Sequence, residues 1–164
     1  MTDDLDDDYG ERLVGRLPVR VRRRVLWGEC DPAQVVYTPR FADYLVVAFG
    51  WFSRIVLDAE APTLADAGVG TPAKGLELTF HRVLRPNQIF EMTVLVRAVR
   101  EHTCDLTIVA RDMEDRLVFE GRVSPIFIDR GTFGSIAIPS AFRARLEQYR
   151  AACAPVADDD EGQQ

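Results

Sequence analysis

Cysteine is scarce in this sequence, with three residues, Cys30, Cys104 and Cys153. An odd number without paired spacing argues against a disulfide framework and for a reducing compartment, so the expected location is cytoplasmic. Long apolar runs are missing as well. The longest nearly apolar stretch, Leu45–Phe52, falls far short of the ~20 residues a membrane span requires. The first residues are aspartates instead of a basic segment followed by an apolar one, so no secretory signal is expected. Histidine is limited to His81 and His102, and no Cys/His cluster has zinc spacing, which argues against a metal site. There is no Gly-x-Ser-x-Gly elbow, so a triad of the α/β-hydrolase kind lacks support. Gly68, Gly70 and Gly75 have neither the spacing nor the preceding strand of a phosphate or dinucleotide loop. No repeat and no dividing linker occur.

What is present is enough for one folded body. The 164 residues favour a single domain, and 47% hydrophobic against 28% charged residues is the balance of a globular protein with a real core. The formal charge is −6, but ten of the 26 acidic residues sit at the two ends, Asp3 to Glu11 and Asp158 to Glu161. That leaves 16 acidic against all 20 basic residues, a body of about +4. Residues 1–14 and 154–164 are therefore expected to be disordered acidic tails around a folded domain of 15–153. The basic excess suits an anionic small ligand and is too weak and scattered to argue for nucleic acid.

Along the chain, Leu17–Trp27 alternates, with Val19, Val21, Arg23, Val25 and Trp27 on one side and Arg20, Arg22 and Arg24 on the other. This predicts a strand with one solvent-facing arginine face. Gly28 to Ala33 reads as a loop from its Gly and Asp-Pro content. Thr38-Pro39 predicts a helix start, with threonine as the cap and proline at the first position, where no N–H is needed. From Arg40 to about Asp58 the helix is apolar on nearly every face and must be covered on most sides. Gly50 within it predicts a close approach by another backbone. A short helical turn is expected near Thr63–Ala67. Four strand-length runs follow, Lys74–Leu84, Ile89–Arg100, Thr103–Met113 and Arg116–Ile128. Their short breaks predict hairpins, with Pro125 at an edge or bulge. A last helix is expected from about Pro139 to Ala152, with Phe142, Leu146 and Tyr149 on one side. The fold class is α+β, a five-stranded antiparallel sheet wrapped around one long apolar helix. One sheet covers one side of such a helix, so its other side, or the sheet edge, should meet another subunit.

Chemistry is left to the loop that carries Asp31. A carboxylate a few residues before a helix N-terminus lies near uncommitted backbone N–H groups and the positive end of the helix dipole. That pairing suits acyl transfer, in which the carboxylate attacks or activates water and an N–H takes up charge growing on the carbonyl oxygen. Asp31 beginning an ordinary Asp-Pro turn is the competing reading, and spacing alone does not choose between them.

The string Trp27-Gly28-Glu29-Cys30-Asp31-Pro32-Ala33, with Val35-Val36-Tyr37 and Pro39, resembles the signature of the hotdog-fold acyl-CoA thioesterases. The closest subgroup is the 4-hydroxybenzoyl-CoA thioesterase family, whose motif runs roughly Gly-Asp-Cys-Asp-Pro-Ala-Gly-Ile-Val-Tyr. Gly68-Val69-Gly70-Thr71-Pro72 is a second matching segment, and the likeness spans roughly Val19–Arg145. The resemblance implies a hotdog fold and hydrolysis of an acyl-CoA thioester. It implies Asp31 as nucleophile or general base, and the Thr38 N–H as the group that polarises the carbonyl. The nucleotide of coenzyme A would meet the short run Arg100, Glu101, His102, of which only Arg100 keeps the family's charge; Thr71 also counts among the substrate-binding positions. It further implies a homotetramer made of two dimers, with sites at subunit interfaces, and no metal or redox cofactor.

Phe41, Leu45, Val46 and Phe49 are the candidates for lining the acyl pocket. Val46 stands where hydroxybenzoyl members present an aspartate to the phenol, and an unpartnered buried hydroxyl is costly. The expected acyl group is therefore an unsubstituted aromatic or other hydrophobic one. Gln34 replaces the motif's glycine, so the turn after Asp31 lacks glycine's freedom at positive φ. Glu29 is expected to stay solvated or bond to the loop, and Cys30 to be inert. Two rivals stay open: a thioesterase acting on acyl carrier protein, and a non-catalytic acyl-CoA-binding hotdog protein.

Overall fold

The computed structural model describes residues 10–154. Ten elements matter here: β1 (Glu11–Arg16), β2 (Val19–Arg24), α1 (Arg40–Phe52), β3 (Val69–Gly70), β4 (Ala73–Phe80), β5 (Ile89–Val99), β6 (Cys104–Asp112), β7 (Leu117–Pro125), β8 (Ile128–Asp129) and α2 (Ser140–Ala152). Six strands form one antiparallel sheet in the order β1-β2-β5-β6-β7-β4, and β3 pairs with β8 as a separate ribbon. The architecture is the expected hotdog: a mixed α+β layer with the sheet curled around α1.

The strand count is six instead of five, and the difference lies at the start. The alternating run gives β2 alone, and an unexpected strand before it, β1, pairs with β2 across Leu17-Pro18 as a hairpin. β1 begins at Glu11, inside the stretch expected to be tail; the remaining tail residues, 1–9 and 155–164, lie outside the described ones. β2 stops at Arg24, and Trp27 is not on the apolar face but 69% exposed in a 3₁₀ turn over Trp27–Glu29. The hairpin expected after Lys74–Leu84 is also absent. β4 pairs with β7, while β5 pairs with β2 and β6, so the chain crosses from one sheet edge to the opposite half between them. A short break sets the distance available for a turn. It does not specify the partner; here the connection instead buries Leu84, whose carbonyl accepts from Val36 N–H at 2.8 Å. Pro125 ends β7 opposite a bulge between Ala73 and Gly75, as a residue without an N–H must.

α1 lies on the concave sheet face because Phe41, Tyr44, Leu45, Ala48 and Phe52 fall on one side at helical spacing, all buried. The ring of Phe41 meets that of Phe119 edge-on at 5.2 Å, and Tyr44 meets Phe90 at 5.1 Å. One π turn, Ser53–Leu57, extends the helix nearly to Asp58. The far side is open in a single chain: Val46 is 50% exposed, and nothing lies within 4 Å of a Cβ built on Gly50. Among the described residues no second backbone approaches Gly50, so that expectation fails within one subunit. α2 runs as expected, and its Tyr149 hydroxyl accepts from Val19 N–H (2.8 Å) and donates to the Val94 carbonyl (2.6 Å). That joins α2 to β2 and β5.

At Gly121 in β7 a helix side chain presses directly on the sheet backbone. A Cβ there would sit 2.7 Å from Leu45 Cδ1 and 2.8 Å from the Glu77 carbonyl oxygen. Gly121→Ala should therefore destabilise the protein by about 1–3 kcal/mol, the usual cost of overpacking, read as a lower urea midpoint with unchanged slope.

Candidate active site

The turn Trp27–Glu29 and the start of α1 are held together by one buried carboxylate. Glu29 is 8% exposed and accepts from three directions: Leu26 N–H at 2.9 Å, the Tyr44 hydroxyl at 2.8 Å, and the Arg23 guanidinium. Arg23 reaches it from the inner face of β2, lying 5.0 Å from the Tyr44 ring centroid, and also pairs with Glu11. Burial alone would raise the Glu29 pKa, but the Leu26, Arg23 and Tyr44 hydrogen bonds outweigh it and hold the carboxyl below its ordinary range. Burial and the same carboxylate push the Tyr44 phenol up, so it remains a donor. Glu29 is thus neither solvated nor merely a loop contact.

From this anchor the chain turns back. Tyr37 N–H bonds to the Glu29 carbonyl at 2.9 Å, Asp31 N–H to Val35 at 2.9 Å, and Gln34 N–H to Asp31 at 2.9 Å. Gln34 has φ 62°, the left-handed conformation a glycine would adopt without strain. The turn therefore keeps its shape despite the substitution. The Asp31 Oδ1 accepts from Ala33 N–H at 2.8 Å, while Oδ2 meets no donor among the described residues. Burial, with the Glu29 and Asp31 charges beside it, pushes the Cys30 thiol up, away from the thiolate a nucleophile needs.

At the helix start the backbone donors can be counted. Arg40 N–H goes to Tyr37, Phe41 N–H to Thr38 and Ala42 N–H to Pro39, at 2.8, 3.2 and 3.1 Å. Pro39 has no N–H. The Thr38 N–H finds no acceptor among the described residues. The threonine side chain does not cap the helix, as its spacing had predicted; Pro39 already has helical dihedrals (φ −61°, ψ −23°), and the 3₁₀-type bonds absorb the donors a cap would take.

Asp31 and Thr38 share a cleft of about 330 Å³ with Val35, Val36, Phe41, Phe80, His81, Arg82, Val83 and Leu84. Of the expected pocket residues, Phe41 lines it, against Phe80 at 4.9 Å. Leu45 is fully buried core under Gly121, and Val46 and Phe49 are not among the lining residues. Thr71, Arg100 and His102 lie elsewhere. The cleft is at the end of the sheet where β5 begins, whereas Arg100 and His102 follow the end of β5 and Thr71 precedes β4, whose first residues are at that same far end. The eleven residues of β5 separate the two ends by roughly 35 Å. Arg100 is engaged there by Asp105 at 2.7 Å.

Phe80, His81, Arg82 and Val83 were not anticipated as site residues. They were read as the end of a strand, but β4 stops at Phe80, and the following residues leave the sheet with His81 and Arg82 N–H both on the Val118 carbonyl. His81 Nε2 lies 3.5 Å from a Glu120 oxygen. Among the described residues no group of three His, Cys, Asp or Glu side chains is placed to hold a metal, and no helix is long and apolar enough to cross a membrane.

A family model described as "Thioesterase-like superfamily" matches residues 25–146. No curated relative matches the sequence. Among solved structures, a gentisyl-coenzyme A thioesterase is similar at 18% identity, TM-score 0.67, over 77% of this chain and 98% of that one. A Staphylococcus aureus protein in complex with CoA reaches TM-score 0.77 at 12% identity, over 92% and 91% of the two chains. A 1,4-dihydroxy-2-naphthoyl-CoA thioesterase from Synechocystis gives 0.65 at 14% identity, over 77% and 93%. At such identities the likeness shows the fold.

The Glu29 anchor has a pH signature. A carboxyl held below its unfolded value contributes stability above that value, and the contribution is lost as pH falls through the folded one. Glu29→Gln should cost about 2–3 kcal/mol at pH 7, and the gap to wild type should close as pH drops below the ordinary value of 4.5. Urea unfolding of both proteins at pH 7 and under acid conditions checks this; a gap that stays constant with pH contradicts it.

Proposed function

Because this chain belongs to the thioesterase-like superfamily, and is on that account a thioester hydrolase, we propose that it cleaves a hydrophobic, benzoyl-type acyl-CoA to the free acid and coenzyme A. The observation that carries this reading is the meeting of Asp31 and the uncommitted Thr38 N–H in one cleft with apolar walls. The thioester carbonyl lies between them, its oxygen toward Thr38. The Asp31 carboxylate attacks the carbonyl carbon, or takes a proton from the water that does. The negative charge that develops on the oxygen is met by the helix-start N–H, a preorganised donor that needs no rearrangement. Collapse of the tetrahedral species breaks the carbon–sulfur bond and releases the thiolate, which takes up a proton as coenzyme A. On the water route this leaves the free acid directly; on the nucleophilic route it leaves a mixed anhydride with Asp31, which water then hydrolyses to the free acid and the restored carboxylate.

The acyl group sits against Phe41, Phe80 and Val83, the part of the wall that rewards apolar area. Two structural relatives carry aromatic acyl-CoA names, gentisyl and dihydroxynaphthoyl, which supports coenzyme A esters of aromatic acids as the class. The working unit is a dimer assembled through β4 and then a tetramer. β4 is a sheet edge exposed along nearly its whole length, with Leu76 at 44% and Phe80 at 47% exposure, beside the open Val46 face of α1. An unpaired apolar edge of this kind is a template for a second strand, and a second copy there completes the cleft wall.

Asp31→Asn should lower turnover by about 10²- to 10⁴-fold, the range for removing a positioned base, with binding of a non-hydrolysable acyl-CoA analogue nearly unchanged. Joint loss of binding and folding would overturn the assignment. Across a panel of esters, benzoyl- or phenylacetyl-CoA should exceed 4-hydroxybenzoyl-CoA in kcat/KM; a preference for the hydroxybenzoyl ester would overturn the apolar-wall reading.

A further inference from the structure

Beside the cleft, and continuous with it through His81, Arg82 and Val83, runs a second, wider groove of about 660 Å³ that also takes in Arg85, Asn87, Gln88, Asp112 and Arg116. Its floor is rigid. Leu84 is fully buried, and the turn at 85–88 is closed by Gln88 N–H to the Arg85 carbonyl (3.1 Å) and Arg85 N–H to the Gln88 side-chain oxygen (3.0 Å). Asn87, at φ 65°, donates its N–H to Val25 at 2.9 Å, which ties the turn to the end of β2.

The charges in the groove are not balanced. Asp112 is used up by Arg116: its side chain accepts from the Arg116 backbone and guanidinium at 2.9 and 2.8 Å, and from Glu114 N–H at 3.0 Å. Arg116 is paired a second time by Glu114 at 3.0 Å. Arg82 and Arg85 are exposed, and neither guanidinium has a carboxylate partner among the described residues. Two unpaired guanidinium groups on a fixed backbone, next to a cleft that holds a thioester, form a seat for a phosphorylated group. Arg100 offers the contrast, since it is already satisfied by Asp105 and lies at the far end of β5.

We propose that the phosphates of coenzyme A are held by Arg82 and Arg85 of the same chain that supplies Asp31, and not by the Arg100–His102 run. This rests on the acyl-CoA reading above and deepens it by placing the nucleotide. The pantetheine arm leaves the cleft past Val83, and the diphosphate and ribose phosphate meet Arg82 and Arg85.

Arg82→Ala and Arg85→Ala, alone and together, are tested on a benzoyl-CoA ester and on the matching benzoyl-pantetheine ester, which lacks the nucleotide. Each single change should raise KM for the CoA ester by about fivefold, with kcat kept, no effect on the pantetheine ester, and most of the effect erased by added salt. Arg100→Ala should leave both esters unchanged. A KM for the CoA ester that ignores Arg82 and Arg85, or follows Arg100 instead, overturns the proposal. Equal loss on both esters also overturns it, because the arginines then act on the fold or the thioester itself. Binding of adenosine 3′,5′-bisphosphate by calorimetry reads the groove without turnover. Should the protein hydrolyse no thioester, the functional reading falls. Even then, bisphosphate binding that weakens in the double variant sustains the groove, and binding that does not weaken, or is absent, overturns it.

Discussion

The site depends on one buried carboxylate. Glu29 joins the sheet through Arg23, the turn through Leu26 and the long helix through Tyr44. Taking a carboxylate out of water is unfavourable unless donors replace its hydration, and here they do from three sides. The result is a fixed relation between the strand that ends before the loop and the helix that begins after it. Asp31, two residues on, and Thr38, at the helix start, inherit that relation without needing strong contacts of their own. The loop tolerates a left-handed glutamine because its ends are pinned.

The same economy governs the proposed oxyanion donor. A helix start leaves several N–H groups without partners, and most proteins spend side chains on them. Here a proline removes one, and bonds back to Tyr37, Thr38 and Pro39 consume three more, which leaves the donor of Thr38, a residue that lines the cleft. Asp31 is placed near it by the loop.

Much of this was legible in the sequence, for identifiable reasons. The long helix announced itself through apolar density after Thr-Pro, and α2 through Phe142, Leu146 and Tyr149 at helical spacing, all three buried. Asp31 stood out only once its neighbours were read as a string, since a single Asp-Pro carries no chemistry. β1 escaped notice because Glu-Arg-Leu-Val-Gly-Arg is short and charged, and it becomes a strand only by pairing with β2. The β4–β7 partnership escaped notice because strand pairing is non-local, while loop length speaks only of neighbours. Glu29 looked like a solvated acid for the same reason: its partners lie six and fifteen positions away. His81 and Arg82 were hidden by the boundary of β4, since a strand that continued to Leu84 would have alternated them across the sheet.

The main-chain origin of the Thr38 donor has a consequence for how this protein can vary. Every amino acid except proline brings an N–H to that position, so side-chain replacement there leaves the proposed carbonyl-polarising group in place. Alanine scanning would pass over residue 38 as unimportant, and sequence drift at it would be nearly free. Selection can act on the donor only through the backbone that aims it: on Pro39, on the turn around Gln34, and on the residues that hold the loop shut.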